Sequence, residues 1–168
     1  MTASQQRSAM AASAVEPCAG CGWAVEGGFA GCKSRFDEVI ARDFSDARYF
    51  AVHRLLVDTY CLQHPDEYCA SAKSLAAHLA GLCSIIEGEA SAAAGPAALQ
   101  KWLNGPRDLS RPQIPAHRGR TTIADLPLEA DPGAWSEAVR AWAGETWSAY
   151  RALQPLAREW LAAATRAQ

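Results

Sequence analysis

The stretch PCAGCGWAVEGGFAGC, residues Pro17–Cys32, decides how the N-terminal part of this chain folds. It contains three cysteines and five glycines in sixteen residues. Glycine loses more backbone freedom on folding than any other residue, so a helix of ordinary stability is disfavoured here. We therefore predict a turn-dominated segment that is held together by something other than apolar packing.

The cysteines of this stretch have the spacing of metal ligands. Cys18 and Cys21 are separated by two residues, which allows both sulfur atoms to bind one tetrahedral ion. Gly20 and Gly22 let the backbone turn tightly around such an ion. Cys32 follows across a Gly-rich loop and is the natural third ligand. The pattern predicts a zinc knuckle in which Zn²⁺ has a structural role.

The fourth ligand of this predicted site must come from further along the chain. We expect His53, because the helix that carries it begins soon after the knuckle, and we keep His64 and His78 as alternatives. His53 and His64 lie on one helix face, but eleven residues at about 1.5 Å each separate them by about 16 Å. At most one of these two histidines can complete a mononuclear site.

The chain has 168 residues and six cysteines, and the other three cysteines have different surroundings. Cys61, Cys69 and Cys83 lie in or beside predicted helices among Ala and Leu, where a buried thiol behaves as a small hydrophobic group. We predict that they are core residues. The cysteine density is low for a disulfide-stabilised scaffold and no signal-peptide pattern is present, which favours a cytoplasmic protein with reduced thiols.

Beyond Cys32, apolar residues recur at helical spacing and predict a mainly α fold. We expect a small bundle of about five helices with an N-terminal, cysteine-rich zinc-knuckle loop. The predicted organisation is a disordered tail at 1–16 and a single domain at 17–168, made of a zinc knuckle at 17–32, a helical core at 33–104, an irregular loop at 105–131 and a C-terminal helix at 132–166.

Capping residues and prolines give the expected helix boundaries. The irregular loop contains four prolines, and we interpret its arginines, Arg107, Arg111, Arg118 and Arg120, as solvated. A short extended piece is expected at Thr121–Ala124. The predicted helices begin at about Ser34, run from Asp46 to about Gln63 with Ser45 as N-cap and Pro65 beyond the end, run from about Ser71 to Glu87 and from Pro96 to Asn104, and open again at Pro132, with a break or kink at Pro155.

The charge balance excludes some classes of partner. The chain has 16 Lys and Arg against 18 Asp and Glu, a formal net charge of -2. It has no overall basic field, which argues against general nucleic-acid binding. The longest nearly apolar run, Leu75–Ile86, is too short to span a membrane. The sequence leaves open whether the chain binds a protein partner or a small ligand.

Three catalytic motifs that use similar residues are not matched. Nucleobase deaminases carry a His-x-Glu element before their P-C-x-x-C element, and no histidine precedes Pro17. A thioredoxin-like dithiol needs an α/β setting, and the zinc-protease motif H-E-x-x-H is absent. The leading hypothesis is a binding or regulatory module with a structural zinc ion. The alternatives are a zinc-dependent hydrolase with an open metal position and His64 or His78 as acid or base, and a thiol redox sensor.

Several segments in combination resemble a bacterial domain-of-unknown-function family of short helical proteins with a CxxCG knuckle and a VHxLxVDxYxxQHP helix. The resemblance extends from Pro17 to about Tyr150. It implies a helical fold and singles out Cys18, Cys21, Cys32, His53, His64 and His78, and it implies no particular reaction. The matching segments are CAGCG with Cys32, VHRLLVDTYCLQHP at Val52–Pro65, SLAAHLAGLC at Ser74–Cys83, TTIADL at Thr121–Leu126 and VRAWAGETW at Val139–Trp147.

Overall fold

The computed structural model describes residues 14–88 and 96–167 of the chain. The described part is mainly helical, as predicted, and opens with a β-hairpin that contains the CxxC segment. Of the predicted tail at 1–16, residues 1–13 lie outside the described residues, while Val15 and Glu16 belong to the first strand. The elements are β1 (Val15–Pro17), β2 (Ala24–Glu26), α1 (Phe29–Asp43), α2 (Ala47–Phe50), α3 (His53–Gln63), α4 (Pro65–Tyr68), α5 (Ala72–Ile86), α6 (Pro96–Asn104), α7 (Pro132–Ala149) and α8 (Gln154–Arg166).

The described residues form eight α-helices, so the prediction of about five was wrong. One reason is that the helix predicted from Asp46 to Gln63 is divided into α2 and α3. The N-cap of α2 is Asp46, whose carboxylate accepts a hydrogen bond from the Arg48 amide, whereas the Ser45 hydroxyl donates to a carbonyl of the preceding turn. A turn at residues 51–52 separates α2 from α3, and Val52 in this turn is buried in the core.

Prolines set further boundaries because proline lacks the amide that a helix interior requires. Pro65 follows the end of α3, as predicted, and is itself the first residue of the short helix α4. Pro155 lies in the first turn of α8, and the break falls before it, in a 3₁₀ turn at Arg151–Leu153. The extended piece predicted at Thr121–Ala124 is instead a 3₁₀ turn at Ile123–Asp125 that Thr122 caps.

The core lies around α3, which packs against α5 on one side and α7 on another. Trp135 and Trp142 of α7 are fully buried, in agreement with their prediction as core residues. Cys61, Cys69 and Cys83 are buried in the same apolar cluster, also as predicted. All six cysteines are free thiols.

The most apolar run of the sequence, Leu75–Ile86, lies within α5. Its leucines at positions 75, 79 and 82 are buried, where they pack in the interior of the bundle. None of the described helices combines the length and the apolar character that a membrane-spanning helix needs.

Candidate metal centre

The CxxC segment forms the turn of the N-terminal hairpin. Strands β1 and β2 pair antiparallel with Pro17 opposite Ala24. The amide of Cys18 donates to the Trp23 carbonyl at 2.7 Å, and the amide of Gly22 donates to the Cys18 carbonyl at 2.8 Å. These bonds close the turn tightly, so Cys18 and Cys21 are held close to each other. Cys18 is buried, and Cys21 is partly exposed.

Cys32 lies in α1, which begins at Phe29 rather than at the predicted Ser34. Its amide donates to the Gly28 carbonyl at 3.0 Å, a bond of the first helical turn. The side chain is fully buried. The third cysteine is therefore held by helical backbone and not by a flexible loop, which fixes the direction of its thiol.

His64 ends α3 and is almost fully buried. Its Nδ1 lies 2.8 Å from the carbonyl oxygen of Tyr60. A carbonyl oxygen only accepts, so Nδ1 is the donor of this bond, and the neutral ring then presents its lone pair at Nε2. Nε2 lies 3.3 Å from Sγ of Cys32. A backbone acceptor behind the imidazole is a common way for proteins to orient a metal-binding histidine.

The hairpin, α1 and α3 together bring four ligand atoms within 4.8 Å of one another, those of Cys18, Cys21, Cys32 and His64. In a tetrahedral site with metal–sulfur bonds of about 2.3 Å, two sulfur atoms lie about 3.8 Å apart. The Sγ atoms of Cys21 and Cys32 are 3.8 Å apart. The chemistry and the spacing of these donors fit a metal ion, and this group could hold one. We refer to the four residues as the Cys3His group.

His53, the leading sequence-based choice for the fourth ligand, is not part of the Cys3His group. Its Nδ1 lies 2.5 Å from Oδ2 of Asp43, and its ring stacks on Phe50 at a centroid distance of 4.5 Å. The reason is the direction of packing: the hairpin turn contacts the C-terminal end of α3, where His64 lies, and His53 begins that helix. The alternative choice of His64 fits the geometry. His78, the other alternative, pairs with Asp58 instead.

The pKa values of the neighbouring Cys21 and Cys32 thiols are shifted in opposite directions. The hydrogen bond with Cys32 lowers the pKa of Cys21 to about 4. The same hydrogen bond, together with burial, raises the pKa of Cys32. Burial also raises the pKa of Tyr60, whose hydroxyl lies 3.8 Å from Sγ of Cys32. The neutral phenol of Tyr60 is therefore a hydrogen-bond donor available to the buried sulfur.

Arg118 connects the hairpin turn to the rest of the protein. Its guanidinium donates to the carbonyl of Gly20 at 2.6 Å, to that of Gln63 at 3.1 Å and to that of Pro115 at 2.9 Å. The Gln63 amide donates in return to the Arg118 carbonyl at 3.1 Å. The interpretation of Arg118 as a solvated loop residue was wrong, because it joins three backbone segments beside the Cys3His group.

We expect Arg118→Met to lower the free energy of unfolding by about 2–3 kcal/mol, because backbone carbonyls lose a charged donor that no other group replaces. Urea unfolding followed by circular dichroism measures this change. The matched control is Arg120→Met, since the Arg120 side chain is 91% exposed and should change stability by less than about 0.5 kcal/mol. Equal effects of the two substitutions would contradict the assigned role of Arg118.

Comparison with known proteins gives one match. Residues 16–151 match a family described as a family of unknown function, DUF5946. The chain belongs to DUF5946. The family resemblance inferred from the sequence is thereby confirmed, over nearly the same residues. Neither a curated protein nor a solved structure matches the chain.

The DUF5946 match includes the hairpin turn with its CxxC segment, α1, α3 and the loop that carries Arg118. Two contributors to the site were missed by sequence reasoning: the Tyr60 carbonyl that orients His64, and Arg118. The first had a signal, since Tyr60 precedes His64 by one helical turn and α3 ends there. The sequence carries no signal for the role of Arg118, because a loop arginine that binds distant carbonyls has the same local sequence context as a solvated one.

Proposed function

We propose that this DUF5946 protein binds one structural Zn²⁺ through Cys18, Cys21, Cys32 and His64, and that it acts as a binding or regulatory module. The observation that carries the proposal is the convergence of four donor atoms within 4.8 Å. Three thiolates and one imidazole are a ligand set typical of structural zinc.

The closed ligand set supports a structural role over a hydrolytic one. A catalytic zinc ion keeps one position for water or substrate, whereas a structural ion is surrounded by four protein ligands. His78, a candidate acid or base for a hydrolase, lies on α5 and contacts Asp58 rather than the Cys3His group. The zinc ion would fasten the short hairpin, which has two strands of three residues, to α1 and α3.

Metal analysis of the purified full chain tests the proposal. We expect one zinc per chain in the wild type. His64→Ala should weaken zinc binding by more than about a hundredfold in a competition with a chromophoric chelator, because it removes a ligand, and the loss of a group that only orients a ligand already costs about 10–100-fold. His53→Ala is the matched control and should keep the wild-type affinity. Wild-type protein without zinc, or equal loss of affinity in both variants, would refute the proposed site.

A redox role is a second candidate, favoured by the position of Cys21. It is the partly exposed member of the Cys3His group and lines a cavity of about 440 Å³ together with Trp23, His117 and Arg120. Hydrogen peroxide could enter this cavity. Oxidation of the Cys21 and Cys32 thiolates to a disulfide would give two electrons to the peroxide, which takes up two protons and becomes two water molecules, and zinc would be released. Peroxide treatment that releases no zinc would exclude this role.

A further inference from the structure

A second polar cluster lies between α3 and α5 and shares no residue with the Cys3His group. Asp58 of α3 is fully buried. Its Oδ2 accepts a hydrogen bond from Nε of Arg54 at 2.6 Å, and its Oδ1 lies 2.8 Å from Nδ1 of His78. One buried carboxylate thus holds an arginine and a histidine side by side across the two helices.

Helix α5 has a glycine, Gly81, at the position that faces this cluster. A Cβ atom at Gly81 of α5 would lie 2.4 Å from Oδ2 of Asp58 and 2.6 Å from Nη2 of Arg54. Any other residue at this position would displace the ion pair. Arg54 also donates from Nη2 to the Ala77 carbonyl at 3.0 Å, so its guanidinium is fixed at two points.

The side chains of Arg54 and His78 both reach the surface at this point. The Arg54 side chain is 43% exposed and that of His78 is 21% exposed. Within the described residues, Nη1 of Arg54 and Nε2 of His78 have no hydrogen-bond partner. The buried carboxylate occupies the inner nitrogens of both groups and leaves these outer ones for a ligand.

We propose that Arg54 and His78 bind the phosphate group of a small ligand at the α3–α5 seam. Arginine donates from fixed, planar N–H groups that match phosphate oxygens. A phosphate group offers oxygen acceptors and a hydroxyl donor, so Nε2 of His78 can form a hydrogen bond with it in either role. The Arg54 guanidinium supplies the charged donor of this site, and His78 supplies a second hydrogen-bonding group beside it. This proposal does not depend on zinc binding.

The chain contains an internal control for this site. His53 pairs with buried Asp43 in the same way that His78 pairs with Asp58. No arginine contacts Asp43 within the described residues, and two phenylalanines, Phe44 and Phe50, flank the His53 ring. A phosphate that requires an arginine beside the histidine should therefore not bind at His53.

The test is an NMR titration of the full chain, labelled at ¹³Cε1 of its histidines, with inorganic phosphate. The blank is a titration with sodium chloride at the same ionic strength. The chain has four histidines, which single substitutions assign. We expect a saturable shift of the His78 signal and none at His53 or at the exposed His117. A shift that does not saturate, or that is equal at His53, would overturn the proposal.

Arg54→Lys tests the role of the guanidinium while it keeps the charge beside Asp58. We expect the apparent affinity for phosphate to fall about tenfold, because one charged hydrogen bond is lost. Arg48→Lys makes the same chemical change at an exposed residue of α2 whose side chain is 72% exposed, and it should leave the affinity unchanged. If both variants bind like the wild type, Arg54 and Asp58 only join the helices and the proposal fails.

Discussion

If the Cys3His group binds zinc as proposed, Cys32→Ser should abolish that binding and lower the free energy of unfolding by about 4 kcal/mol when free zinc exceeds its dissociation constant about a thousandfold. Cys32 is central to the Cys3His group: its Sγ lies 3.8 Å from Sγ of Cys21 and 3.3 Å from Nε2 of His64. A serine hydroxyl does not ionise near neutral pH and is a poor zinc ligand. Zinc content and urea unfolding, measured with and without added zinc, check the two expectations.

The control for this prediction is Cys83→Ser, which makes the same change in a buried thiol outside the Cys3His group. Cys83 is 1% exposed, and its thiol donates to a Glu87 carboxylate oxygen at 3.8 Å, away from the Cys3His group. We expect this variant to keep one zinc per chain. If Cys32→Ser retains stoichiometric zinc, or if added zinc stabilises both variants equally, the assigned ligand set is wrong.

Gly20→Ala should weaken zinc binding about a hundredfold, which corresponds to about 2.7 kcal/mol. A Cβ atom at this position would lie 2.2 Å from Cδ2 and 2.8 Å from Cγ of the His64 ring, and 3.0 Å from the Gln63 carbonyl oxygen. The ring cannot retreat easily, because it is buried and its Nδ1 is bonded to the Tyr60 carbonyl. The added methyl group therefore separates the hairpin turn from the end of α3. Chelator competition measures the change in affinity.

Gly22→Ala is the matched control on the other side of Cys21. Gly22 has a φ of 81°, but no atom lies within 4 Å of the position of its Cβ. An alanine there has backbone strain of about 1 kcal/mol and no clash with a ligand. We expect its zinc affinity to remain within about tenfold of the wild type. A larger loss in Gly22→Ala than in Gly20→Ala would show that turn strain, rather than the approach of His64, limits metal binding.

Much of the site was predictable because it depends on local spacing. Cys18 and Cys21 are separated by two residues, and any backbone that turns at the neighbouring glycines brings their sulfur atoms close together. The division of the cysteines also followed from local context, since Cys61 lies in an apolar helical pattern and Cys32 lies beyond a glycine-rich segment. These inferences need no knowledge of how the helices pack.

The fourth donor was predicted less well because proximity along the chain was a poor guide. His53 is nearer to Cys32 in sequence, but His64 is nearer in space, since α1 and the hairpin pack against the C-terminal end of α3. Sequence reasoning excluded the simultaneous use of both histidines in one mononuclear site and favoured His53 over His64. The division of the predicted helix at Asp46–Gln63 has the same origin, because burial of Val52 in the core sets the turn between α2 and α3.

The sequence by itself determined the mainly helical fold, the turn at Pro17–Cys32, the cysteine trio and the core role of the remaining cysteines. All of these follow from backbone preferences, hydrophobic periodicity and short spacings. Only the tertiary structure decided that His64 joins the trio, that Arg118 holds the hairpin turn, and that Asp58 lies between Arg54 and His78. Those contacts join residues far apart in the chain, and they form because α1 and α5 each pack against α3, which no local pattern specifies.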